Sequence, residues 1–185
     1  MGQPTKRYVE VARLFREVAR AGGEALVPTP AGAEDLTAAE TALGCRFPAS
    51  YGWFQREFGQ VSNGPLDIYG VRSLEPPSLN IVDINLDERR NGQPALPAHL
   101  IAFSDSGGGD LICFDTSALV DDECPVVWWD HELDVDQELE PAGASFLDWL
   151  ETELRERAAE GKGSLLDSLA HVHATWLREW LKRKS

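Results

Sequence analysis

LIAFSDSGGGDLICFD, residues 100–115, contains two short runs of strand-forming residues, LIAFS (100–104) and DLICFD (110–115), on either side of a glycine triplet. Apolar runs of this length, bounded by turn residues, read as strands. Gly107, Gly108 and Gly109 reach positive φ at little steric cost, so the stretch predicts an antiparallel hairpin. The same glycines do not read as a phosphate cradle. The ending G-K-[ST] is missing, and the run feeds a strand rather than a helix N-terminus.

Outward from this hairpin the strand pattern continues in LDIYGV (66–71), IVDI (81–84) and CPVVWWD (124–130), separated by Gly, Pro, Asn and Asp. The links are too short and turn-rich for a crossover helix after every strand, LDERRNGQP being the exception. The expectation is an α+β fold with a largely antiparallel, mixed sheet of about five to six strands, flanked by helices.

Helical periodicity frames the sheet. Tyr8, Val11, Phe15 and Val18 define a helix over 5–21, stopped by Gly22-Gly23. Thr37 and Glu40 have capping-box spacing and predict a short helix ending near Gly44. Pro48 suits the first turn of a third helix, in which Tyr51, Phe54 and Phe58 share a face. Ser145 is the expected cap of a helix lined by Phe146, Leu150 and Leu154. A last amphipathic helix over 163–184 carries Leu165, Leu169, Val172, Trp176 and Trp180, and ends in KRK. The whole chain, 1–185, reads as a single domain with that helix as an extension.

Charge is distributed unevenly. Between Asn91 and Leu154 there is no Lys or Arg but there are fifteen Asp and Glu residues, which account for the net charge of −14. A one-signed surface is self-repulsive and unnecessary for folding, so it points to solubility or to a partner of opposite sign, and against direct nucleic-acid binding. The three cysteines, Cys45, Cys113 and Cys124, contain no CxxC pair and predict free thiols. MGQPTKRYVEVARLF has no apolar signal core and no later run is long enough for a membrane span, so a cytoplasmic location is expected.

The candidate surface follows from the charge. Asp130, Glu132, Asp134, Asp136, Glu138 and Glu140 recur every second residue, with Asp121, Asp122 and Glu123 upstream. Three readings stand: a solvated loop, a cation site, or a surface facing a basic partner. The glycine and bidentate-glutamate spacing of an EF-hand are missing, so no metal is assigned. Trp128 and Trp129 point to opposite faces of a strand; one belongs to the core and the other is a candidate interface anchor. His131 and Cys113 lack the spacing of a recognised catalytic set, and His171 and His173, two apart on a helix, point in different directions. No catalytic residue and no cofactor are assigned.

Four stretches carry a further signal: LTAAETALGCRFPASYGWFQREFGQVSNG (36–64), FSDSGGGDLICFD (103–115), VVWWDHE (126–132) and SFLDWLE (145–151). In this order they resemble the SUKH superfamily, in the branch named after the yeast cell-wall assembly regulator, over a core of about 34–155. Asn63-Gly64 and the final helix depart from the usual pattern. The resemblance implies an α+β fold with a mixed sheet flanked by helices. It also implies an immunity role, since bacterial members bind and block polymorphic or contact-dependent toxins, many of them nucleases or deaminases. No catalytic residue carries over. The resulting expectation is a non-catalytic monomer or homodimer. It would hold a cognate toxin domain through Asp121, Asp122, Glu123, Trp128, Trp129, Asp130, Glu132, Asp134, Asp136, Glu138 and Glu140. The alternative is a regulatory interaction module with no toxin partner, and a small hydrolase dependent on His131 or Cys113 ranks last.

Overall fold

The computed structural model describes residues 6–22, 29–61, 66–72 and 79–160. Helix α1 (Lys6–Ala21) comes first, followed by α2 (Ala33–Leu43), α3 (Ala49–Glu57) and α4 (Ile81–Asn91). Strands β1 (Leu100–Asp105), β2 (Leu111–Asp115), β3 (Val126–Trp129) and β4 (Glu140–Gly143) come next, and α5 (146–160) follows. The final helix expected at 163–184, with His171, His173 and the leucine–tryptophan stripe, lies outside the described residues.

The four strands form one antiparallel sheet in the order β1-β2-β3-β4. The predicted hairpin is present: Leu111 pairs with Asp105, and Gly107 and Gly109 take φ of 74° and 110°. The α+β class holds, with four strands among the described residues instead of five to six.

Two expected strands fail for reasons that can be named. IVDI opens helix α4, because the Asn80 side chain accepts hydrogen bonds from the Val82 and Asp83 N–H groups at 2.8 and 3.1 Å. That is an N-cap, and it satisfies donors that a strand would have left to a neighbour. LDIYGV forms only isolated bridges, Ile68 to Val61 and Gly70 to Asn80. Beside it, the buried Asn85 of α4 donates to Ala102 O at 2.7 Å and accepts from Ala102 N at 2.8 Å. The Asn85 amide takes the Ala102 backbone groups on this edge of β1, while LDIYGV reaches the strand beside it through the Tyr69 N–H, which donates to Phe103 O at 2.8 Å. A bulge between Ala102 and Ser104 breaks the register further.

The core is aromatic. Phe103 and Phe114 stack at 4.1 Å, and Tyr51 of α3 and Phe146 and Trp149 of α5 meet them edge-on or tilted. Val11 and Phe15 bury the apolar stripe of α1, with Phe15 against Phe54 and Phe58. Arg7 ties α1 to α5 through Asp148 at 2.5 Å and Glu151 at 2.9 Å. Ser145 caps α5 as expected, its Oγ accepting the Asp148 N–H at 3.2 Å. Helix α2 begins a turn earlier than the Thr37–Glu40 spacing predicted. Asp35 reaches back to the Gly32 N–H at 2.8 Å, Thr37 lies inside the helix with its hydroxyl on Ala33 O, and Glu40 bonds the Phe47 N–H.

Candidate partner-binding surface

Strand β3 divides the predicted surface in two. Glu123 lies near its start and Asp130 follows its end, seven residues apart. In extended chain this is on the order of 20 Å at ~3.3 Å per residue, so the acidic residues gather at the two ends of the strand.

At the first end one carboxylate, that of Glu123, is built into the fold. Asp121 and Asp122 occupy a tight turn with φ of 51° and 60°, closed by reciprocal bonds between Val120 and Glu123. The Asp122 carbonyl accepts the Ala49 N–H at 2.7 Å. The Glu123 carboxylate accepts the Ser50 N–H at 2.8 Å and the Ser50 hydroxyl at 2.7 Å. Its charge therefore sits at the N-terminus of α3, where unpaired N–H groups and the helix dipole favour an anion. Asp121 and Asp122 remain exposed, with Arg46 3.9 Å from Asp122.

The second end is open. Trp129 is buried, while Trp128 is half-buried and paired across the sheet with Ile112 and Glu140. The core tryptophan is therefore Trp129, and the one with accessible surface is Trp128. From Asp130 the chain leaves the sheet, and the period-two run does not stay extended: it folds through turns until Glu140 enters β4. Glu132, Asp134, Asp136, Glu138 and Glu140 are all exposed, and Asp130 is half-buried.

Gln137 fixes the shape of this loop. Its side chain accepts the Asp130 N–H at 3.0 Å and donates to Asp130 O at 2.9 Å, as a strand residue would. Its backbone N–H bonds Asp134 O at 3.1 Å. The Asp130 carboxylate accepts the Glu132 N–H at 2.8 Å.

His131 fastens the loop to the β1–β2 hairpin, with Nδ1 2.9 Å from Asp110 Oδ1. That bond raises the His131 pKa above its ordinary value, opposed by some desolvation and aided by the charges of Asp110, Glu132 and Asp130. The imidazole lies over Gly109, where a Cβ would come within 2.7 Å of the ring. Glycine at 109 thus serves both the turn and the contact.

Asp110, Asp130 and His131 each bring a ligand-type atom within 4.8 Å of the others, the one such group among the described residues. It has the donor chemistry to receive a cation, but its atoms already bond within the chain. Cys113 lies fully buried in β2, and burial, with Glu88 nearby, pushes its thiol far above the ordinary range. Such a thiol is a poor nucleophile, which removes support from a hydrolase built on Cys113.

Sequence reasoning missed the parts that shape the site: Gln137, the His131–Asp110 tie, and two apolar side chains, Leu133 and Val135, which are 50% and 58% exposed. Their signal was the alternation of acidic and apolar residues in ELDVDQELE.

A model of the SMI1-KNR4 cell-wall family, SUKH_5, matches residues 11–155. The chain belongs to the SMI1-KNR4 cell-wall family. No curated protein matches it. The SMI1-KNR4 match runs from α1 into α5, so the whole four-stranded sheet and the acidic loop after β3 lie inside the family's domain. No helix among the described residues of this SMI1-KNR4 chain is long and apolar enough to cross a membrane.

Proposed function

We propose that this chain is a non-catalytic immunity protein that neutralises a basic toxin domain by seating the acidic end of its sheet on it. The observation that carries the reading is the exposed series Glu132, Asp134, Asp136 and Glu138 on a loop with no Lys or Arg, in a chain of the SMI1-KNR4 family. A nuclease or nucleic-acid deaminase displays Lys and Arg to hold the phosphate backbone. Carboxylates on a protruding loop occupy the same groove, accelerate association and block substrate. Glu140 and the accessible part of Trp128 extend this surface, whereas the Glu123 carboxylate is engaged by Ser50 of α3.

A pull-down from lysate of the source cell, washed at low and then high salt with bound proteins identified by mass spectrometry, tests the proposal. The expected result is a basic toxin domain released by salt and lost from the Asp134→Lys/Asp136→Lys variant. Capture unaffected by charge reversal would reject this surface. The cell-wall branch of the family favours a second reading, a regulatory interaction module. Recovery of host regulatory proteins, with no toxin, would select it.

A further inference from the structure

We propose that residues 130–138 form a preshaped docking finger whose tip, Leu133 and Val135, inserts into an apolar notch rimmed by Lys and Arg on a protein partner. The inference rests on the acidic end of the sheet being the partner-facing one, and names what that partner must present.

Three observations support it. First, Leu133 and Val135 are two of only five large apolar side chains exposed among the described residues, and they stand two positions apart in one loop. Neither belongs to the core cluster, whereas Leu139 in the same run packs against it. Second, carboxylates alternate with them at Glu132, Asp134, Asp136 and Glu138, all exposed, and Asp105 of the adjacent hairpin adds negative charge. The lone basic-type side chain of the loop, His131, is engaged by Asp110. A partner that covers this tip must bury apolar surface and bring cations, so polycations without an apolar site fit it poorly. Third, Gln137 closes the loop onto Asp130 from both sides of its peptide backbone, and His131 pins it to the hairpin. A loop already held in shape loses little conformational freedom on binding, so apolar contact at its tip converts into affinity.

The test is selection of a random peptide library displayed on phage against the full chain, followed by comparison with the Leu133→Ser/Val135→Ser variant. Both side chains are at least half exposed, so the variant is expected to keep its thermal midpoint, which is measured alongside. The expected peptides carry Lys or Arg around a large apolar residue and bind the variant at least about tenfold more weakly, the scale of a lost apolar anchor. Basic peptides that lack an apolar residue, or that bind the variant equally, would overturn the finger and leave the acidic-surface reading intact. Selected peptides without basic residues would overturn both. Failure to enrich any peptide counts against a preshaped finger.

Discussion

Glu123 and Glu132 belong to the same acidic segment and look alike in sequence, yet their surroundings give them different work. Glu123 holds the first turn of α3 through Ser50, while Glu132 points to solvent beside the loop tip. Nothing in the spacing of carboxylates distinguishes the two, because the distinguishing partner is 73 residues away in the chain. His131 is the residue whose role is best tested by titration. Its pKa in the folded chain is raised by the bond to Asp110, so the contact is complete below the ordinary imidazole pKa of about 6.5 and is lost as pH rises through the raised value. NMR titration should place the His131 midpoint above the ordinary value, and Asp110→Asn should lower it. After correction for the base-catalysed intrinsic rate, hydrogen exchange of the 131–138 amides should show falling protection over the same alkaline-going window. A His131 midpoint at or below the ordinary value, or one unmoved in Asp110→Asn, would remove the tie between loop and hairpin.

Among the elements, α4 shows how local and long-range signals compete. Ile81, Val82 and Ile84 read as a buried strand because they are β-branched, but the position that faces β1 one turn later is Asn85, fully buried. A period built on apolar residues cannot register an asparagine as core. What makes it core is the pair of bonds to Ala102, which let a side chain stand in for a strand. The hairpin 100–115, β3 and the aromatic stripes of α1, α3 and α5 were legible, since each buries apolar side chains at its own period. Asn85→Ala should leave Ala102 N–H and C=O buried without partners and cost about 3 kcal/mol, with Asn85→Leu no better although it has the same number and branching of side-chain heavy atoms. Urea denaturation with unchanged slope measures both. A stable Asn85→Leu variant would show that packing, not hydrogen bonding, holds α4 on the sheet edge.

Over the whole molecule the charge imbalance pulls in two directions. The fifteen carboxylates between Asn91 and Leu154 repel one another in the folded chain, where they are held closer than in the unfolded one. The net charge of −14 was legible from composition alone. The division of its carriers between a turn that caps α3 and a loop that projects from the far end of β3 was not, because it depends on where the sheet ends. Binding a cationic partner and folding should therefore respond to salt with opposite signs. Added salt screens repulsion among the carboxylates and raises the melting temperature, while it weakens attraction to the partner. Between about 20 and 300 mM sodium chloride the Debye length falls several-fold, and the midpoint should rise by roughly 2–5 °C for a chain of this size. The Glu132→Gln/Asp134→Asn/Asp136→Asn/Glu138→Gln variant should show a smaller rise, because it removes four of the mutually repelling charges without touching the Glu123 contact at α3. Thermal melts of both chains across the salt series decide the point. Equal salt responses would mean that the loop is too well solvated to strain the fold, and that its charge is retained for the partner at no cost to stability.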